Sequence, residues 1–153
     1  MGFRSYPFNR LLHYYFMEDV EIIKGLASLF PKAMRGTEKA VDQFSTFDFS
    51  NDTYLIEIKS RRKKYDPWII EKSKVDSNCE VANKSNRQVL YVSEHKGTAH
   101  VWNITKLLQD DYDFGWCKRN LPRTTEFSRR EWVSKDVGYV YEKDAKSFEL
   151  LPG

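Results

Sequence analysis

The chain has few of the features that stabilise small secreted domains. Its 153 residues include only two cysteines, Cys79 and Cys117, which belong to no CxxC motif and no cysteine–histidine cluster. We therefore expect neither a disulfide framework nor a zinc site, and reduced thiols in a cytoplasmic protein. No apolar run approaches the roughly 18 residues of a membrane span, so no membrane partner is expected. The chain also has no Walker loop and no GxGxxG motif, so neither of these phosphate-binding signatures is present.

The overall composition is that of an ordinary globular domain. Hydrophobic residues make up 41% of the chain, charged residues 31% and aromatic residues 15%. A length of 153 residues favours one domain over residues 1–153. The net charge is +3, from 25 Lys and Arg against 22 Asp and Glu. This mild excess permits a nucleic-acid partner only if the basic residues form a local patch.

The first half of the chain changes from helical to strand periodicity. Apolar residues three and four positions apart predict a helix from about 10 to 29, and residues 32–40 resemble a loop. Two β-favouring segments, 43–49 and 53–59, flank the turn formers of 50–52 and predict a β-hairpin. In the second segment, strand alternation places Tyr54, Ile56 and Ile58 on one face and Leu55, Glu57 and Lys59 on the other.

The second half continues with alternating strands and a helix. Residues 67–71 predict a short third strand, and a capping pattern at Ser73 precedes a helix from about 74 to 84. Strands are expected at 89–93 and 99–104, and a terminal hairpin at 137–141 and 147–151. The order of elements predicts an α/β or α+β domain without a long internal linker.

The most informative residues are two acids and a lysine near the predicted hairpin. Glu57 and Lys59 lie two positions apart on one strand, so they share a face. The hairpin would bring Asp48 back beside them. Mg²⁺ prefers oxygen ligands and commonly takes one or two carboxylates from a protein. A nearby ammonium can stabilise negative charge that develops on a phosphate.

This pattern, Phe47-Asp48 followed by Glu57-Ile58-Lys59, resembles that of the PD-(D/E)XK nuclease superfamily. Phe47 stands where the named pattern has proline. The resemblance covers about residues 10–104 and implies a restriction-endonuclease-like αβββαβ core, with a mixed central sheet flanked by helices and a C-terminal extension over 105–153. It implies catalysis by Asp48, Glu57 and Lys59 with Mg²⁺, for which Mn²⁺ could substitute.

The resemblance also implies a further acid on the first helix and a basic residue in the second. Glu18, Asp19 and Glu21 are candidates for the acid, and we favour Glu18 as a catalytic and metal-binding residue because a longer side chain reaches further. Lys74 is the preferred basic residue, at a helix N-terminus that could face a phosphate. Lys72 is the alternative.

Basic clusters follow the predicted site. Arg61, Arg62, Lys63 and Lys64 come directly after the catalytic strand, where they could neutralise DNA phosphates. A second cluster in the C-terminal extension contains Lys118, Arg119, Arg123, Arg129 and Arg130.

These features together predict a Mg²⁺-dependent endonuclease that acts on DNA, expected to be double-stranded. The family likeness includes restriction-type, homing and junction-resolving enzymes of phages or mobile elements, and it places the chain in the cytoplasm of a bacterial or phage-infected cell. One site per chain would require a homodimer, or a higher homo-oligomer, to cut both strands at once. The alternative is a nucleic-acid-binding module without catalysis, and a weaker one is a protein-interaction domain.

Overall fold

The computed structural model describes residues 17–42, 45–122 and 131–150, and these form a mixed α/β arrangement. The helices in these ranges are α1 (Asp19–Leu29), α2 (Lys72–Ser85) and α3 (Ile104–Gln109). The strands are β1 (Glu38–Lys39), β2 (Phe49–Ser50), β3 (Tyr54–Ser60), β4 (Trp68–Glu71), β5 (Gln88–His95), β6 (Thr98–Asn103), β7 (Cys117–Pro122), β8 (Trp132–Val140) and β9 (Lys146–Glu149). A 3₁₀ turn, Glu142–Asp144, precedes β9. Of the helices in the described ranges, none is long and apolar enough to cross a membrane.

A six-stranded mixed sheet forms the centre of the structure. Its strand order is β1-β2-β3-β5-β6-β9, in which β3 and β5 are parallel and every other neighbouring pair is antiparallel. A parallel pair needs a long crossover, and here the crossover contains β4 and α2. Helices α1 and α2 pack on opposite faces, through Ile22 and Leu26 in one apolar cluster and Val75 and Ala82 in the other. The predicted mixed sheet flanked by helices is therefore confirmed.

A second, three-stranded antiparallel sheet of order β4-β8-β7 covers part of the α2 face. Trp68 and Ile70 of β4 and Val140 of β8 are buried in the same apolar cluster as Leu55 and Trp102 of the central sheet. Because β7 and β8 come from the C-terminal extension, that extension packs against the core.

The predicted hairpin and third strand are only partly correct. Strand β2 pairs antiparallel with β3, as expected, but it starts at Phe49. Residues 45–48 are not strand, and residues 43 and 44 lie outside the described ranges. The third strand exists as β4, yet it pairs with β8 rather than with the central sheet. The central sheet instead gains β1 from the region predicted as a loop, 32–40.

Three predicted element boundaries are wrong for reasons that lie in local hydrogen bonding or pairing. Helix α1 starts at Asp19, and residues 17 and 18 before it are not helical. The helix starts there because the Glu21 carboxylate accepts the backbone N–H of Glu18 and caps its N-terminus. Residues 10–16 lie outside the described ranges. Helix α2 follows Glu71 directly, so Ser73 is within it and is not its cap. The predicted terminal hairpin does not form, since β8 and β9 belong to different sheets.

Candidate active site

Strand β3 directs apolar side chains to one face of the central sheet and charged side chains to the other. Ile56 and Ile58 are buried in the apolar cluster of α1. The intervening Glu57 is only 8% exposed, and its carboxylate lies 3.9 Å from the Lys59 ammonium. The structure therefore brings Glu57 and Lys59 together on the α2 face, as the two-residue period of a strand requires.

Asp48 lies beside this pair at the end of the β2–β3 ladder. Phe49 pairs with Ile56, so continuing the register by one residue places Asp48 opposite Glu57. The backbone N–H of Asp48 donates to the Ile56 carbonyl at 2.8 Å. The Asp48 Oδ2 in turn accepts the N–H of Ile58 at 2.7 Å. A side-chain carboxylate thus takes the place of the next backbone acceptor and fixes Asp48 at the end of the β2–β3 ladder.

Two buried asparagines hold the segments on either side of Asp48. Asn78 of α2 is fully buried and bonds both the hydroxyl and the carbonyl of Thr46. Asn51 accepts the backbone N–H groups of Thr53 and Tyr54, each at 2.8 Å, in the β2–β3 turn. Because buried polar side chains are costly unless their bonds are satisfied, these contacts fix the loop geometry around the acid.

Burial changes the acid–base properties of Glu57 and Lys59. Burial raises the pKa of Glu57 to about 7, with Lys59 and Lys74 opposing the shift and Asp48 adding to it. Burial and the charge of Lys74 lower the pKa of Lys59. Burial therefore favours the protonated form of Glu57, a pKa shift of the kind found at catalytic sites.

A charged cavity of about 540 Å³ opens in front of Glu57 and Lys59. We call it the Glu57 cavity. Its walls come from both sheets and from α2, and its lining residues are Glu57, Lys59, Arg61, Ile69, Ile70, Glu71, Lys74, Tyr91, Leu121, Pro122 and Lys135. Four of these side chains are cationic and two are acidic. The cavity therefore has a net positive lining, which suits an anionic ligand.

Opposite the sheet, Glu71 links two of the lysines that line the cavity. Its carboxylate lies 3.0 Å from the Lys135 ammonium and 3.6 Å from that of Lys74. Burial alone would raise the pKa of Glu71, but the hydrogen bond from Lys135 and the charge of Lys74 hold it below its usual range. Sequence reasoning missed Glu71 and Lys135, because neither lies in a motif and β8 is 64 positions from β4 in the chain.

Of the three candidate acids at the start of α1, Asp19 is the one whose charge interacts with those of Asp48 and Lys59. Glu18 is exposed and directly precedes α1, and Glu21 bonds its backbone. Asp19 is partly buried, and its pKa is raised by burial and by the charge of Asp48, while Lys59 opposes the shift. The charge of Asp19, at the start of α1, therefore interacts with two of the three predicted catalytic groups, Asp48 and Lys59.

The predicted DNA-binding residues are divided by the fold. Arg61 and Lys74 line the Glu57 cavity. Lys72 pairs with Asp76 at 2.8 Å on the surface of α2, and Lys64 pairs with Glu142 at 3.3 Å. Arg62 and Lys63 are exposed and do not line the cavity.

The second basic cluster lies on exposed strand β7 where it is described. Lys118 pairs with Asp136 at 3.0 Å, and Arg119 donates to the Tyr139 hydroxyl at 3.4 Å. Arg123, Arg129 and Arg130 lie outside the described residues.

The side chains at this site that would hold a hard cation are carboxylates. In the described part of the chain, no group of three or more His, Cys, Asp and Glu side chains is placed to hold a metal ion. Mg²⁺, however, commonly binds through one or two carboxylates and keeps water and substrate oxygens as its other ligands. Asp48 and Glu57, which oppose one another in the extended β2–β3 register, are the two carboxylates that would do so.

No protein-family model matches the chain, and no curated protein and no solved structure matches it significantly.

Proposed function

We propose that the protein is a Mg²⁺-dependent endonuclease that hydrolyses DNA phosphodiester bonds at the Glu57 cavity. The observation that carries this proposal is the position of Asp48 opposite Glu57 at the end of the β2–β3 ladder, with the Lys59 ammonium 3.9 Å from the Glu57 carboxylate. The net positive lining of the cavity is consistent with a phosphodiester substrate.

The topology supports the resemblance to the PD-(D/E)XK superfamily. The order α1, β1, β2, β3, α2, β5 corresponds to αβββαβ when β4, which pairs in the second sheet, is counted as an addition. Under this assignment the three strands of the core are β1 to β3. Asp48 directly precedes the second of them, and Glu57-Ile58-Lys59 lies on the third.

Each residue has a separate role in the proposed reaction. A divalent cation bound there would act as a Lewis acid on the phosphodiester and lower the pKa of a bound water. Asp48 and Glu57 would hold it, and Asp48 is already oriented by the Ile58 N–H. The Lys59 ammonium would stabilise the charge that develops on the phosphate. Asp19 is the acid of α1 that we assign to the site in place of Glu18, since its charge interacts with those of Asp48 and Lys59.

The proposal includes the partners expected from the sequence. The substrate would be double-stranded DNA in the cytoplasm. A homodimer would place two sites on the two strands, whereas a monomer would release nicked product first.

The test is cleavage of supercoiled plasmid with Mg²⁺ and with EDTA. We expect nicking with Mg²⁺ and none with EDTA. Glu57→Gln and Lys59→Met should each lower the rate by at least about 100-fold, the size of effect seen when one group that stabilises transition-state charge is lost.

The control is a second Glu–Lys pair that is remote from the cavity. Glu80 and Lys84 lie 3.2 Å apart on the exposed surface of α2, so Glu80→Gln and Lys84→Met should cut at the wild-type rate. Cutting that persists in EDTA, or in both site variants, would exclude the proposed mechanism.

A nucleic-acid-binding module without catalysis is the second candidate. It is favoured by the excess of cations in the cavity and by the lack, among described residues, of a metal-holding group of three. A binder would retard DNA in EDTA, would leave plasmid intact with Mg²⁺, and would keep its affinity when Glu57 is changed to Gln.

A further inference from the structure

We propose that Lys135, supplied by the C-terminal sheet, binds a backbone phosphate of the nucleic acid together with Lys74, and that Glu71 is the residue that positions both. The inference rests on the proposed function only in taking nucleic acid as the ligand. It assigns the C-terminal extension a direct part in substrate binding.

The first support is the geometry around Glu71. Its two carboxylate oxygens are divided between the ammonium groups of Lys135, at 3.0 Å, and Lys74, at 3.6 Å. Lys74 comes from α2 and Lys135 from β8, so one acid at the end of β4 connects three elements. The side chains of Glu71, Lys74 and Lys135 are 24%, 34% and 26% exposed, so the group is partly buried and still accessible.

The second support is the balance of charge in the cavity. Glu57 and Glu71 face four cations, of which Lys59 and Arg61 lie on the sheet side and Lys74 and Lys135 on the opposite side. The four cations outnumber the two acids, so like charges repel one another across the cavity. A phosphate entering between these groups would reduce that repulsion, and lysine binds phosphate well as a point charge.

The third support is the chemistry of the remaining lining. Ile69, Tyr91, Leu121 and Pro122 add apolar surface beside the lysines. An inorganic phosphate ion has no apolar part to place there, whereas the sugar and base next to a backbone phosphate do. The mixed lining therefore favours a nucleic acid over a free anion.

The test is binding of a fluorescein-labelled DNA duplex in EDTA, measured by fluorescence anisotropy across a salt series. The test variant is Lys135→Gln, which removes the charge but keeps a hydrogen-bond donor for Glu71. We expect about tenfold weaker binding, as for loss of one charged hydrogen bond. The slope of log affinity against log salt should fall by about 0.9, and Lys135→Arg should restore most of it.

The matched control is Lys118→Gln on β7. Lys118 belongs to the same sheet and also pairs with an acid, Asp136, but its side chain is 75% exposed and outside the cavity. Its salt line should coincide with that of the wild type. Thermal melts of each variant identify any loss of folding, and Lys135→Met replaces Lys135→Gln if the latter does not fold.

Three results would overturn the proposal. The first is parallel plots of log DNA affinity against log salt for wild type and Lys135→Gln. The second is a reduced slope for Lys118→Gln and not for Lys135→Gln. The third is thermal stabilisation by inorganic phosphate that depends on Lys135, while DNA affinity does not depend on it. The plasmid assay is independent of these results. Normal cutting with parallel salt lines would refute only the role of Lys135, and a Lys135-dependent slope without cutting would refute only the nuclease.

Discussion

The two faces of the central sheet differ in chemistry although the same strands build both. On the α1 face, Ile56, Ile58 and Val92 are buried among other apolar side chains, and a cavity of about 350 Å³ there is lined mostly by apolar groups. On the α2 face, the intervening residue Glu57 is nearly as buried, yet it opens into a charged cavity.

This difference shows how a fold can bury charge without losing its core. Strand alternation keeps Glu57 and Lys59 away from the α1 cluster, where an unpaired charge would be very costly. The second sheet covers the α2 face and supplies Lys135, while Lys74 comes from α2. Both faces therefore contain an apolar cluster, and the α2 face also carries the shifted pKa values of Glu57 and Lys59.

The largest expected effect is the loss of stability when a buried side chain of the α1 face is shortened. Ile56→Ala removes a side chain with no exposed surface, and should lower the free energy of unfolding by about 2–5 kcal/mol. Chemical denaturation measures the change. Val20→Ala, an exposed residue of α1, should have a much smaller effect. Equal losses would show that the α1 face is not a packed core.

Replacing the adjacent residue, Glu57, should raise the free energy of unfolding rather than lower it. Glu57→Gln removes a carboxyl whose pKa is raised from 4.5 to about 7. At about 1.36 kcal/mol per pKa unit, the variant should be more stable than wild type by up to about 3 kcal/mol at pH 8 in EDTA.

The stability gain of Glu57→Gln should depend on pH. Below about pH 4.5 the carboxyl is protonated in both folded and unfolded states, so the variant should have no advantage. The advantage should grow as the pH rises from about 4.5 to 7, because only the folded state resists ionisation. Unfolding curves at several pH values measure it, and a variant that is less stable at pH 8 than at pH 4, relative to wild type, would contradict the burial argument.

A substitution at Gly138 of β8 tests how tightly the second sheet packs over the α2 face. A Cβ at this position would lie 2.7 Å from two ring atoms of Trp116, so Gly138→Ala forces the ring to move. We expect a loss of about 1–3 kcal/mol in the free energy of unfolding. Ser134→Ala, at an exposed position of the same strand, is the control. An unchanged Gly138→Ala variant would mean that the second sheet packs loosely.

The smallest expected effect is a difference between Arg61 and Arg62 in the salt dependence of DNA binding. Arg61 lines the Glu57 cavity and Arg62 does not. If DNA binds there, Arg61→Ala should lower the salt slope of log affinity by about 0.9, and Arg62→Ala should leave it unchanged. Binding across a salt series in EDTA measures both. Equal changes would indicate that the run 61–64 binds phosphate as a surface patch and not through the cavity.

The local features of the site could be predicted because they depend on short sequence separations. The alternation of β3 and the antiparallel pairing of β2 with β3 follow from patterns within about ten residues. Helix α2 and strands β5 and β6 were also expected close to where they lie. Asp19 was recognised only as an alternative to Glu18, because the point at which α1 starts depends on one hydrogen bond from Glu18 to Glu21.

The sequence by itself determined the mixed α/β class and the placement of Glu57 and Lys59 on one face, because periodicity and turn chemistry are local. Only the tertiary structure decided that β4 leaves the central sheet for β8, that β9 joins β6, and that Glu71 and Lys135 meet across 64 positions of chain. Strand partners are chosen by how apolar surface is buried over the whole chain. No short pattern records that choice.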